Sequence, residues 1–211
     1  MNIGIIGGGN VGSALAQRLA GSGHRVTLGL RSPDSSKAVE LSQSSGADVA
    51  SVPEAVARSQ VVLLATPWSA AEDAVRACGD LGGKVVVDCT NPLRPDLSGL
   101  VVDGSASGAE RIASWAEGAH VVKMFNTTGA ENMRRPDYGG TALTMLYAGD
   151  HPGANEVAEE LARSVGFAPI RVGPLSMAGA LESFALTWIT LAYSAGVGPD
   201  FAFQLVPRPG N

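Results

Sequence analysis

Gly7, Gly9 and Gly12, spaced G-x-G-x-x-G, are the residues whose types and spacing best suit this chain to hold a ligand. They leave the apolar run Asn2-Ile3-Gly4-Ile5-Ile6 and enter a helical stretch over 13–20, after which Val26-Thr27-Leu28 opens a second strand. In that order each glycine has a task. Gly7 allows a tight turn out of the strand, Gly9 lets the backbone approach a pyrophosphate, and Gly12 lets the helix lie close on the sheet. Gly8, Asn10 and Val11 complete the turn, where a helix N-terminus offers free N–H groups and partial positive charge. The ligand implied is a dinucleotide. The alternative is an α/β turn whose glycines serve packing alone.

The second strand indicates which dinucleotide. An NAD site usually carries Asp or Glu about 20 residues past the glycines, to accept from the ribose 2′-OH. Here the strand ends Leu28-Gly29-Leu30-Arg31-Ser32, Asp34 comes only after Pro33, and Lys37 follows. Arg31 presents a planar fork of donors suited to a phosphate. Arg31, Ser32 and Lys37 therefore point to a 2′-phosphate and to NADP(H). The alternative for Arg31 is a solvated loop residue.

Further along, three polar segments leave apolar strands: Thr66-Pro67-Trp68, Asn91-Pro92 and Asn126-Thr127. In a doubly wound sheet, ligands sit outside the carboxyl ends of the strands, which is where all three fall. Thr66, Pro67, Asn91 and Pro92 would flank ribose and nicotinamide. Asn126 would orient the ring or simply end its strand. Trp68 either stacks on a second planar ligand or packs the start of its helix. Lys123, inside the apolar run 121–125, is expected to snorkel to the surface, the other option being that it reaches the site. No acid–base pair for reducing an alcohol, imine or hydroxyacid is apparent. That absence favours a ring-type acceptor, which needs only positioning; no residue is assigned a catalytic role. His24, His120 and His151 stand singly, Cys78 and Cys89 lack metal spacing, and no metal site is expected.

Strand and helix patterns alternate through most of the chain. The fold class expected is α/β: a Rossmann-type doubly wound, mostly parallel sheet with a C-terminal apolar helix. The 211 residues divide into a nucleotide-binding domain over 1–175 and a helical appendage over 176–211. Strands are expected over 60–65, 84–89, 120–125, 141–148 and 168–172, with helices between them and a polar loop around Arg134 and Arg135. A net charge of −5 without a basic run argues against nucleic acid. Residue 1 leads directly into a strand, so no signal peptide is read and the cytoplasm is expected. Between Glu182 and Asp200 no residue is charged. With Thr187, Thr190 and Ser194 inside it, this stretch reads as a buried helix rather than a membrane span. Such a helix commonly packs on a second subunit, so a homodimer is expected, with a helix wholly inside one chain as the alternative.

Together these motifs carry a family resemblance. The opening Ile-Gly-Ile-Ile-Gly-Gly-Gly-Asn-Val-Gly, Leu30-Arg31-Ser32, Thr66-Pro67-Trp68, Asp88-Cys89-Thr90-Asn91-Pro92-Leu93, 122–127 and Gly173-Pro174-Leu175 resemble the NADPH-dependent reductases of the deazaflavin coenzyme F420. The resemblance implies hydride transfer between NADP(H) and a deazaflavin or flavin-like acceptor, a small molecule acting as co-substrate. It also implies cofactor contacts at residues 8–11, Arg31, Lys37, Thr66 and Asn126. The chain departs from that family in having Leu30 where Ser usually precedes the arginine. The Asn-Pro and Phe-Asn-Thr segments are also similar to the reductase domain of six-transmembrane metalloreductases. The competing functions are therefore a flavin-mediated ferric or metal reductase and a non-catalytic NADP(H)-binding redox sensor.

Overall fold

The computed structural model describes residues 1–102, 106–206 and 208. Residues 103–105, and 207 and 209–211 of the C-terminal appendage, lie outside the described residues. The chain runs β1 (Asn2–Ile6), α1 (Asn10–Gly21), β2 (Arg25–Leu30), α2 (Ser36–Ser45), β3 (Asp48–Ser51), α3 (Val52–Ala57) and β4 (Val61–Leu64). It continues through α4 (Ala71–Ala77), β5 (Val85–Asp88), α5 (Gly108–Trp115), β6 (His120–Lys123) and α6 (Ala130–Arg134). A hairpin β7 (Asp137–Tyr138)–β8 (Thr141–Ala142) precedes β9 (Thr144–Gly149), α7 (Pro152–Val165), β10 (Ala168–Gly173) and α8 (Ala178–Tyr193).

Eight strands form one sheet in the order β10-β9-β6-β5-β4-β1-β2-β3. From β3 to β6 every pairing is parallel, with register Ile3↔Val26 and Ile3↔Val61 at the centre. The strand order reverses on either side of β1, which opens a crevice at the carboxyl ends of β1 and β4. β9 pairs antiparallel with β6, and β10 parallel with β9, so the last two strands run against the rest.

Alternating side chains divide the core into two layers. Ile3, Ile5, Val61 and Leu63 pack with Leu15 and Leu19 of α1 and Leu161 and Val165 of α7. Ile6, Val62 and Leu64 pack on the other face with Val56 of α3, Val75 of α4 and Ile112 of α5. Helix boundaries follow local chemistry. Ser35 caps α2 by accepting from the Ala38 N–H, and Gly46 ends that helix at φ 71°. Capping boxes start α3 (Ser51 with Glu54) and α5 (Ser107 with Glu110). α1 begins at Gly9 without a side-chain cap, which leaves its first N–H groups to other partners.

Two expectations are corrected here. The strand expected over 141–148 is split: Thr141–Ala142 turns back on Asp137–Tyr138 through Gly139 and Gly140, both at positive φ, and β9 begins at Thr144. The polar loop around Arg134 contains α6. The terminal helix also differs from an all-round buried element. Ala178, Leu181, Glu182, Ala185, Trp188 and Ala192 face the chain, whereas Ala180, Ser183, Thr187 and Thr190 are exposed. By length and mean hydropathy (1.3), Leu175–Tyr193 could cross a bilayer, but its inner face packs on the chain and carries Glu182.

Candidate dinucleotide site

The crevice beside β1 holds a cavity of about 410 Å³, lined by Gly7, Gly8, Gly9, Leu30, Arg31, Ser32, Lys37, Thr66 and Pro67 among others. These residues follow β1, β2 and β4 and precede or begin α2, so the topology alone gathers them. The three motif glycines differ in what they permit. Gly7 has φ 112°, and a Cβ there would lie 2.5 Å from the Ala65 carbonyl oxygen. A Cβ on Gly12 would lie 1.9 Å from the Gly7 carbonyl oxygen. Both positions are closed by the protein itself. Apart from its chain neighbours, Gly9 has no heavy atom of the described residues within 4 Å of where its Cβ would stand, so that space is left free.

At the other end, Arg31, Ser32 and Lys37 are exposed along the rim. Asp34 is exposed and not in the lining; Asp73 of α4 lines the pocket. Asn10, Val11 and Gly12 form the first turn of α1 and stand outside the lining. Arg134, missed at the sequence level inside its supposed loop, donates to Asn10 O (3.1 Å) and Ser13 Oγ (3.2 Å). Its guanidinium adds a second positive feature to the α1 N-terminus.

Trp68, Asn91, Pro92 and Asn126 lie outside this pocket. Trp68 is half-buried in a short turn before α4, its ring 5.7 Å from that of Trp115, an arrangement of packing. Asn91 and Asn126 form a reciprocal pair past the ends of β5 and β6. Asn91 Nδ2 donates to Asn126 O (3.0 Å), and Asn126 Nδ2 donates to Asn91 Oδ1 (3.1 Å). Phe125, at φ 59°, turns the chain after β6, a conformation uncommon for an aromatic residue. Three buried oxygens along this edge lack a hydrogen-bond partner among the described residues: Thr66 Oγ1, Thr90 Oγ1 and Asn126 Oδ1. Buried polar atoms are rarely left unpaired; Thr66 lines the pocket, and a carboxamide has donors for two such oxygens. Free space at Gly9 together with orphaned oxygens past β4, β5 and β6 fits an extended dinucleotide along the edge.

Lys123 does not snorkel. It is fully buried, paired with Asp88 Oδ2 (2.9 Å) and Glu182 Oε1 (3.1 Å). Burial alone would lower its pKa; Asp88 and Glu182 outweigh burial and hold the ammonium above the ordinary lysine range. Each member is one charge within apolar sequence, and their opposite signs were the signal available. Both cysteines are free and buried. Burial pushes the Cys78 thiol up to about 11, and burial with the Asp88 charge raises Cys89, so neither is a thiolate near neutral pH. The histidines are not all single: His120 and His151 stack with ring centroids 3.8 Å apart, and His151 caps α7.

Comparison with known proteins agrees with this geometry. Residues 2–92 match the family model described as NADP oxidoreductase, coenzyme F420-dependent. Metalloreductase STEAP3 of Rattus norvegicus is 31% identical over 184 residues, which is 87% of this chain and 36% of that protein. The chain thus spans little more than a third of that relative. The crystal structure of a putative F420-dependent NADP-reductase from Arthrobacter sp. FB24 superposes with TM-score 0.88 at 28% identity, covering 98% of this chain and 100% of that one. A hypothetical protein from Sinorhizobium meliloti gives TM-score 0.74 at 30% identity, over 84% and 88% of the two chains. Residues 2–92 thus resemble the NADP oxidoreductases of the coenzyme F420-dependent family, and the whole fold is similar to that of a protein described in the same terms.

Proposed function

We propose that the protein binds NADP(H) and passes hydride between it and a planar acceptor, a deazaflavin such as F420 or a flavin. The observation that carries this reading is the glycine-floored pocket whose far rim holds Arg31, Ser32 and Lys37 in place of a strand-end acid. The α1 N-terminus and Gly9 would take the pyrophosphate, and Arg31 and Lys37 the 2′-phosphate. Asn126 Oδ1 and Thr66 Oγ1 would accept from the carboxamide and fix which face of the ring is presented. When bound, the nicotinamide supplies or accepts the hydride. Positioning is then the protein's main contribution, and a ring acceptor needs no proton donor from it.

A second reading, metal-ion reduction through a flavin, is favoured by the relative named as a metalloreductase. Purified protein with NADPH and, separately, a deazaflavin, a flavin, and a ferric chelate with and without flavin distinguishes the readings. Turnover with the deazaflavin alone supports the first, and iron turnover that requires flavin supports the second. Binding without turnover identifies a sensor. Arg31→Ala should weaken NADPH by roughly 10- to 100-fold, the loss of one charged hydrogen bond, and barely change NADH. Equal losses for both nucleotides in a titration would contradict the assignment of Arg31.

We also propose a cytoplasmic homodimer built on the outer face of α8. Trp188 is unsuited to testing it, since it is buried in its own chain and stacks on Phe201 at 5.2 Å. Thr187 is exposed and therefore suitable. The parent should sediment as a dimer at micromolar concentration and Thr187→Glu as a monomer with an unchanged melting temperature. A monomeric parent would end this proposal.

A further inference from the structure

Four segments meet at one buried cluster: the end of β5, β6, the start of α5 and the middle of α8. Asp88, Lys123 and Glu182 are each fully buried. Lys123 Nζ donates to Asp88 Oδ2 (2.9 Å) and Thr90 O (2.5 Å) and pairs with Glu182 Oε1 (3.1 Å), which occupies all three ammonium donors. Glu182 also accepts from the backbone N–H groups of Gly108 (3.0 Å) and Ala109 (3.1 Å). A Cβ on Gly108 would lie 2.9 Å from Glu182 Oε1, so glycine there lets the carboxylate approach. Asp88 Oδ1 accepts from the Thr90 N–H at 2.9 Å.

A buried ion cluster is weak evidence for stability, because well-packed apolar groups often serve that end as well or better. Its location suggests another role. Thr90 is held at both its N–H and its carbonyl by the cluster, and the next residue is Asn91. Asn91 in turn fixes Asn126, whose Oδ1 is buried and without a partner among the described residues. Lys123 itself lies on the same strand end, three residues before Asn126. We infer that the Asp88–Lys123–Glu182 cluster is a positioning device for the nicotinamide end of the dinucleotide. It holds the Asn91–Asn126 amide pair in register through Thr90 and makes that register depend on the docking of α8. None of the three touches the ligand. This inference rests on the nucleotide reading above.

The adenosine half of the ligand would lie far along the edge, against Arg31 and Lys37, so the two halves can be tested apart. Adenosine 2′,5′-bisphosphate carries the 2′-phosphate and lacks the nicotinamide. Glu182→Gln and Asp88→Asn keep shape and remove one charge each. In both, NADPH should bind about tenfold more weakly, as for one lost hydrogen bond, with bisphosphate affinity unchanged. Arg31→Ala should weaken both ligands. The fluorescence of bound NADPH should also shift toward that of free NADPH in the two cluster variants and not in Arg31→Ala. Cluster variants that fold and lose both ligands together, or neither, would overturn the inference while leaving the nucleotide reading of the parent standing. A parent that binds neither ligand would overturn the nucleotide reading and the inference with it.

Discussion

The Gly9→Val protein is expected to fold like the parent and to bind NADPH more than about 100-fold more weakly, as for two or more lost charge-assisted hydrogen bonds. Gly9 sits at φ −78° and ψ −167°, an extended conformation open to any residue. Apart from its own chain neighbours, no heavy atom of the described residues lies within 4 Å of its would-be Cβ. The valine side chain therefore costs the fold little and takes the space in which a pyrophosphate would meet the α1 N-terminus. The other two motif glycines serve as controls. Gly12→Val would drive a side chain into the Gly7 carbonyl, and Gly7→Val into that of Ala65, so both should fail to fold. Circular dichroism beside an NADPH titration checks all three. Unchanged affinity in Gly9→Val would make the turn a packing device only.

Lys123→Met should destabilise the protein by about 3–5 kcal/mol, because removing one member of a buried ionic network leaves charge uncompensated. For a chain of this size that corresponds to a melting temperature lower by roughly 6–20 °C. Asp88 and Glu182 would be left together in the core, with only backbone N–H groups to hold them. The Lys123→Met/Glu182→Gln double variant should recover part of the loss, since one carboxylate charge goes with the ammonium. The pH dependence has a definite sign. A lysine whose folded pKa is raised stabilises fully below its unfolded value of about 10.4 and loses that contribution as pH rises through the folded value. The parent should therefore show a loss of stability in strong alkali that Lys123→Met lacks. A melting temperature within a degree or two of the parent's would contradict the cluster's place in the fold.

The central sheet and one half of the site could be read from local sequence. The apolar runs at 3–6, 61–64 and 86–87 are buried strand segments, and Ser35, Ser51 and Ser107 announce the helices that follow. Gly7, Gly9 and Arg31 are adjacent to those signals, so the pocket between β1, β2 and β4 followed from them. Strand direction was not available in this way. Nothing in the pattern of Thr144–Gly149 encodes that it pairs against β6, because period-2 burial is the same in either direction. The β7–β8 hairpin did carry a signal, the Gly139-Gly140 pair that suits a two-residue turn with both residues at positive φ. Thr141 and Ala142 read instead as the start of the strand expected over 141–148. The ionic cluster carries only a weak local signal, for a different reason. Lys123 and Asp88 are 35 residues apart in sequence, and Glu182 lies farther still, so each looked like an isolated charge. Of the two roles open to Trp68, the structure shows packing on Trp115, and Trp188 packs on Phe201, partners that only the tertiary fold supplies.

The proposed preference for NADP(H) rests on the rim of the pocket, where Arg31, Ser32 and Lys37 stand in place of a strand-end acid. Calorimetric titration of the parent with NADPH and with NADH, at one ionic strength, tests it most directly. The geometry predicts NADPH binding at least about tenfold tighter, the contribution of a charged hydrogen bond to the 2′-phosphate. Equal dissociation constants, or a preference for NADH, would contradict it.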